Sequence, residues 1–362
     1  MKKIIFVHLL NDYSGSPKVL SQVIKSAREN GFEIELYTGK GDDGFLSGLT
    51  DAHHHYFYKR FRNKYLTLIM FMLSQLILFF KLLKYWNEDV VIYVNTMLPF
   101  GAGLAGKIMG KPVYYHVHET YVKPASFKRF LRAIIQISAS KIIYVSKYLK
   151  DAEPFKNINA SVIYNALPKD STEVAEKSQH QFKKNGQFNV LMICSLKAYK
   201  GVYEFISIAF KCEQKKDITF TLVLNAEQSE IDTFFQDRKL PSNLTIIPRQ
   251  QNVIPFYENS SLLLNLSRVD EAIETFGLTI IEAMAFCIPV IVPPVGGPAE
   301  IIRDGVEGYL ISSYEIDKIA NTIMALSHDE AKCIELSNNA KIRSADFKES
   351  VFEKNILEVI SE

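Results

Sequence analysis

Short, almost wholly apolar runs alternate along this chain with longer stretches in which apolar positions recur every three or four residues. The runs are Ile4–His8, Glu33–Tyr37, Val90–Val94, Val113–His116, Lys141–Val145 and Val162–Tyr164. The alternation then restarts with Asn189–Ile193, Thr219–Leu224, Leu244–Ile247, Leu262–Asn265 and Pro289–Val292. Runs of this kind between helical patterns are read as parallel strands covered on both faces by helices. The interval from Lys169 to Gln187 has almost no large apolar residues and reads as a linker. The expected fold class is α/β: two doubly wound, Rossmann-like domains with parallel sheets and a cleft between them. The expected boundaries are residues 1–168, a linker at 169–187 and a second domain at 188–344. An amphipathic helix is predicted at Ser350–Ile360, and the segment from about 345 to 362 is open to packing back on the first domain.

A chain of 362 residues is too long for one ordinary core, which agrees with two domains. Its first residues, MKKIIFVHLL, have the charge and apolar run of a signal peptide. The run is short and stops at Asn11-Asp12, so a first buried strand fits better. The segment from Tyr65 to Tyr85 is the most apolar of the chain. Thr67, Ser74 and Gln75 interrupt it, and its unbroken run falls short of the ~20 residues a bilayer span needs. It also lies between strands of one sheet. Two readings stay open: a helix partly buried on the sheet, or one that also dips into a membrane interface with Lys59, Arg60, Arg62 and Lys64 as head-group contacts.

Charge changes the picture more than composition does. Residues 1–168 hold 22 Lys and Arg against 12 Asp and Glu, while the remainder holds 20 against 28. The basic half could face anionic lipid or a phosphorylated substrate, or be a solvated surface. The four cysteines, Cys194, Cys212, Cys287 and Cys333, are far apart and show no zinc-ligand spacing. Three of them read as small core residues, and a reducing compartment fits, so the expected location is the cytoplasm, with a possible place on the inner membrane face.

The candidate chemistry is concentrated in ETFGLTIIEAMAFCIPVIVPPVGGPAE, Glu274 to Glu300. Glu282 follows Glu274 by eight positions. A helix starting near Gly277 would carry Glu282 in its second turn and leave Glu274 in the preceding loop. A carboxylate has two acceptor oxygens, which suit a vicinal diol on a ribose or hexose. Phe276, Gly277 and Leu278 would present free amides at a helix N-terminus, a place that attracts phosphate. An ordinary capped helix with an incidental surface acid is the plainer alternative. After the strand PVIVP, Gly296-Gly297 builds a tight turn with exposed amides, and Pro298 suits the first turn of the next helix. Lys200, after the first strand of the second half, could neutralise a diphosphate with Lys197 assisting; two surface lysines are the alternative.

Taken in order, E-x7-E, FGL, EAMA, PVI, GG-x-x-E and DGVEGYL resemble the retaining nucleotide-sugar glycosyltransferases of family 4, which have the GT-B fold. The resemblance covers nearly the whole chain. It implies that Glu282 holds the donor ribose, that Glu274 faces the transferred sugar, and that the amides of Phe276, Gly277 and Leu278 contact sugar or phosphate. Lys200, and Gly297 in its turn, would complete the donor site. In the first half, the resemblance matches Gly15 to a glycine-bearing turn over the phosphates, and His118 in YYHVHE to an active-site histidine near the sugar. Two departures stand out. Ser195 occupies the place of an Arg on the diphosphate, for which Lys197 could substitute, and Ser14-Gly15-Ser16 lacks the commoner double glycine.

The implied function is transfer of a sugar, a hexosyl group, from a nucleotide diphosphate to a saccharide or lipid-linked saccharide, with retention, in cell-surface polysaccharide assembly. A sugar-nucleotide epimerase and a non-catalytic donor-binding subunit are the alternatives. No cofactor and no metal is expected, since no Asp-x-Asp occurs, and nucleic acid is not an expected partner. Other motifs carry less. His116 alternates onto the side of His118 and reads as structural. His53-His54-His55 reads as a solvated loop. Gly101 to Gly106 fits GxGxxG but follows a middle strand, so it reads as small residues for close packing. The Lys128-Arg129-Arg132 cluster adds to the basic face offered to a membrane.

Overall fold

In a computed structural model the chain, described here over residues 2–41, 43–178 and 181–361, divides into two compact units. The first is Met1–Asn165 with Phe352–Glu362, and the second is Ala166–Val351. The division falls at Asn165, ahead of the expected linker. The polar stretch instead carries the helix Lys169–Glu176 and lies in the second unit, and its residues 179 and 180 fall outside the described ones. The closing helix spans Glu349–Ser361, and within the first unit its carbonyls at Ile360 and Val359 accept from Lys2 and Lys141.

The first unit holds strands β1 (Lys3–Val7), β2 (Glu33–Gly39), β3 (His53–Tyr56), β4 (Val90–Asn95), β5 (Val113–Val117), β6 (Lys141–Tyr144) and β7 (Asn159–Val162). They form one parallel sheet in the order β3-β2-β1-β4-β5-β6-β7. The second unit holds β8 (Phe188–Cys194), β9 (Ile218–Leu224), β10 (Leu244–Ile247), β11 (Leu262–Leu264), β12 (Val290–Val292) and β13 (Gly308–Leu310), in the parallel order β10-β9-β8-β11-β12-β13. Every residue of β4 and of β11 is buried, as central strands covered on both faces must be. MKKIIFVHLL thus supplies a strand of the first core.

In both sheets the strand order reverses beside the first strand. The crevices lie between β1 and β4 in one unit and between β8 and β11 in the other. At such a reversal the connections leave to opposite sides and open a crevice at the carboxyl ends, where open α/β sheets bind ligands.

Four helices of the first unit matter here: α1 (Gly15–Glu29), α2 (Lys64–Leu82), α3 (Phe100–Met109) and α4 (Ala125–Ser138). α3 packs against both α2 and α4. The GxGxxG glycines explain the closeness. A Cβ on Gly101 would strike the Gln75 carbonyl of α2, and one on Gly103 or Gly106 would strike Tyr115 or Val113 of β5.

Two expectations are corrected. The histidine run is no solvated loop: it forms the edge strand β3. His54 Nε2 is 2.8 Å from Glu35, and His53 Nε2 is 2.8 Å from Thr38 Oγ1. Burial, with His55 and His54 beside it, pushes the His53 pKa down to about 4. Of the Lys128-Arg129-Arg132 cluster, Lys128 and Arg132 are internally committed, since both pair with the buried carboxylate of Glu153, while Arg129 is exposed.

Candidate functional site

In the second unit the site grows from strand ends. β8 finishes at Cys194, and a single 3-10 turn, Ala198–Lys200, follows. Gly201 closes that turn at φ +83°, where a Cβ would collide with the Leu266 carbonyl. This close approach sets Lys200 beside the loop that leaves β11. From that loop comes Glu274, whose Oε2 lies 2.5 Å from Lys200 Nζ and 3.2 Å from Ser267 Oγ. Burial opposes the charge on each partner. The opposite charge outweighs it, so the Lys200 pKa is raised and the Glu274 pKa is lowered, the latter helped by Ser267 and Asn265. Both groups are charged at neutral pH. Burial pushes the Cys194 thiol up to about 12.

The Gly296-Gly297 turn after β12 lies against the same loop. Gly297 N donates to Glu274 O at 2.9 Å, Gly296 adopts φ +77°, and a Cβ on Gly297 would collide with Thr275 O. The glycines therefore clamp residues 274–276 from behind.

Gly277 caps the helix Leu278–Ala285, so Glu282 stands in its second turn, as the spacing predicts. Of the first-turn amides of that helix, Ile280 N donates to Gly277 O at 3.0 Å, while helix geometry leaves those of Leu278 and Thr279 without an intrahelical acceptor. Phe276 contributes backbone only, because its ring is buried 5.9 Å from that of Phe347. Glu282 is buried, and Tyr257 Oη donates to its Oε2 at 2.6 Å. The Tyr257 ring stacks on Phe286 at 5.5 Å. Lys197 is exposed at the start of the 3-10 turn. Arg268 is committed to Glu204 and Glu271, so among the predicted residues the positive charge at these strand ends rests on Lys200 and Lys197.

In the first unit, residues follow the ends of β1, β4 and β5. Gly15 is the first residue of α1, not a residue of a free loop, and the chain before it is pinned by Ser14 N donating to Asp12 at 3.0 Å. Asn95, buried at the end of β4, joins the parts. Its Nδ2 donates to the Ser16 carbonyl at 3.1 Å, which orients the amide. Oδ1 then faces His118 Nε2 at 2.8 Å, so that nitrogen carries the proton and Nδ1 is the acceptor nitrogen. Burial, with His116 and His8 beside it, holds the His118 pKa well below the usual value, so the ring is neutral. His116, behind it, bonds Tyr93 Oη through Nδ1 at 2.8 Å. Glu119 accepts from Met97 N at 2.8 Å and His118 N at 3.2 Å, and burial raises its pKa to about 7.

The second unit thus brings Lys200 and Glu274 together directly, with Gly297 behind them. Glu282 is held by a separate partner. Sequence reasoning missed Tyr257, Ser267, Asn95, His8 and Glu119. His8 and Asn95 carried a signal, each a polar residue closing an otherwise apolar central strand. Among the described residues, no three His, Cys, Asp or Glu side chains gather to hold a metal ion.

Comparison with known proteins bears on the family and the fold. Residues 13–170 match the profile of Glycosyltransferase Family 4, and residues 173–343 that of Glycosyl transferases group 1. An uncharacterized glycosyltransferase, MJ1178 of Methanocaldococcus jannaschii, is 30% identical over 218 residues, or 58% of this chain and 56% of that protein. The N-acetyl-alpha-D-glucosaminyl L-malate synthase of Bacillus anthracis is 28% identical over 206 residues, 55% of this chain and 50% of that enzyme. The chain therefore spans about half the length of these two relatives. Among solved structures, Anabaena HepE in complex with UDP and glucose superposes with a TM-score of 0.81 at 21% identity, covering 100% of both chains. With matching profiles over both units and the GT-B fold, the chain belongs to the group 1 glycosyltransferases of family 4.

Proposed function

We propose that this protein transfers a hexosyl group from a nucleoside diphosphate sugar to a saccharide or lipid-linked saccharide hydroxyl, with retention of anomeric configuration. The pathway we assign is cell-surface polysaccharide assembly on the cytoplasmic side of the membrane. One observation carries the reading: a charged Lys200–Glu274 pair, clamped by a double glycine, at the strand reversal where such sheets bind ligands. Glu282 on the following helix supplies the diol acceptor.

In this reading Lys200, aided by Lys197, and the amides of Gly277 and Leu278 stabilise the departing diphosphate as preorganised charge. Glu274 faces the sugar as positive charge develops on it, and Glu282 holds the ribose. Gly15 sits over the phosphates, and the Nδ1 of His118 accepts from a sugar hydroxyl. The acceptor hydroxyl attacks the anomeric carbon from the face the diphosphate leaves, and a phosphate oxygen takes its proton. The diphosphate charge is met by protein groups, and no metal takes part.

The Anabaena protein was solved with UDP-glucose, which makes UDP-sugars the first donors to test. The experiment is a melting-temperature screen against nucleotide sugars, because a ligand that binds only the native state raises the transition. Mass spectrometry and proton NMR of the product follow, using a saccharide acceptor and the best donor. A new glycosidic bond with the donor's anomeric configuration is expected. Release of a free epimerised nucleotide sugar, or an inverted linkage, would overturn the proposal.

A further inference from the structure

α2 is apolar on two opposite faces. Phe71, Ser74, Gln75, Leu78 and Leu82 are buried in the unit. The other stripe is exposed: Tyr65 68%, Ile69 59%, Met72 40%, Leu73 41%, Leu76 52% and Phe80 61%. The exposed positions follow one another at three- and four-residue spacing, so they form one continuous band. Soluble monomers rarely show solvent an apolar band of this kind.

The charge around the band says what covers it. No Asp or Glu lies between residues 52 and 87, a stretch that carries Lys59, Arg60, Arg62, Lys64, Lys81 and Lys84. The first four are exposed and gather at the N-terminal end of α2. A helix N-terminus is stabilised by acids and opposed by cations, and the first turn of α2 has no acid. The basic cluster therefore works against the helix itself, and suits an anionic partner. Tyr65 and the half-exposed Trp86 stand near its two ends, as amphipathic rings do at membrane interfaces.

Two other occupants fit less well. A second copy of the chain would bring Lys59–Lys64 against either the same cluster or Lys81 and Lys84, like charges in both orientations. A membrane span would pull Gln75 off the amide of Gly101, which its Oε1 accepts at 3.2 Å, and would strip Phe71, Leu78 and Leu82 from the core.

We propose that α2 lies flat in the surface of an anionic phospholipid bilayer. The Tyr65–Phe80 band enters the acyl boundary, and Lys59, Arg60, Arg62 and Lys64 meet the head groups. The proposal goes beyond the transfer chemistry and does not depend on it.

The test is flotation of the full chain with phosphatidylcholine vesicles, with and without phosphatidylglycerol, at low and high salt. Binding is expected only with phosphatidylglycerol, and it is expected to weaken in salt. Two variants, Ile69→Gln with Leu76→Gln and Arg60→Glu with Arg62→Glu, are each expected to lose about tenfold or more in partitioning. Their melting temperature and nucleotide-sugar binding should be unchanged, which separates this idea from the site reading. The proposal fails if the wild-type chain does not float at low salt, or floats equally on neutral vesicles. It also fails if the Ile69→Gln, Leu76→Gln variant floats as well as wild type. A dimer in sedimentation velocity that this variant abolishes would assign the band to a second copy instead.

Discussion

Replacing Lys200 by Ala isolates the interaction on which the site is built. The ammonium sits 2.5 Å from Glu274 Oε2, with side-chain exposures of 24% and 17%. Removing one partner of a fully buried pair costs roughly 3–5 kcal/mol, because a desolvated charge is left alone. Here residual solvent, Ser267 at 3.2 Å and Asn265 offset part of the loss, so about 2 kcal/mol is expected at neutral pH. For a unit of this size that lowers the melting temperature by about 4–8 °C. The deficit should also depend on pH. In wild type the Glu274 pKa is lowered, so its contribution is present above the unfolded carboxylate value and lost as pH falls through the folded one. Without Lys200, burial dominates and the Glu274 pKa rises, so the variant is penalised at neutral pH and relieved on acidification. The melting-temperature gap between the two proteins should therefore shrink from pH 7 towards pH 4. Glu274→Gln added to Lys200→Ala should recover about half of the loss, because no buried charge remains. A gap that stays constant across this pH range, or is under about 1 °C, would refute the pairing argument.

Other outcomes follow from single contacts. Tyr257→Phe keeps the ring stacked on Phe286 but removes the donor to Glu282, at a cost of about 1–3 kcal/mol in stability; steady-state kinetics should show a raised KM for the donor with kcat little changed. Asn95→Leu removes the group that fixes the His118 tautomer, and should lower kcat/KM about 10- to 100-fold; the loss should not add to that of His118→Ala, as a double-mutant cycle would reveal. Glu119 has its pKa raised to about 7, so the folded state keeps a proton that the unfolded state releases above about 4.5. Stability should therefore fall by about 3 kcal/mol as pH rises from 4.5 to 7, and Glu119→Gln should flatten that slope in melting curves. Treatment with EDTA should leave transfer activity intact; loss restored by a divalent cation would remove the metal-free mechanism.

The strand ladder was legible because parallel strands buried on both faces must be nearly all apolar, and β1, β4, β8 and β11 are. The misreadings concern edges. β3 is built of His53, His54, His55 and Tyr56, which no apolar pattern announces. An edge strand pairs on one side only, and here Glu35 and Thr38 of β2 hold it by side chains. β13 opens on Gly308, where a Cβ would strike the Val290 carbonyl, so no apolar run like those of β11 and β12 marks it. The polar stretch at Lys169 looked like linker because its helix presents few apolar residues to any core.

The site divides along the same physical line. Contacts local in sequence could be counted from spacing: Gly277 before a helix with Glu282 in its second turn, and a double glycine behind PVIVP. Contacts made across the sheet could not, because they depend on which strands are neighbours. Lys200 and Glu274 lie 74 positions apart and meet only because β8 and β11 adjoin at the reversal. Likewise, Asn95 reaches Ser16 and His118 because β4 lies between β1 and β5. The strand order thus explains both what a spacing argument finds and what it misses. His8 and Asn95 in one unit and Ser267 in the other follow strands that flank a reversal, and there two distant stretches of chain must supply one set of polar groups.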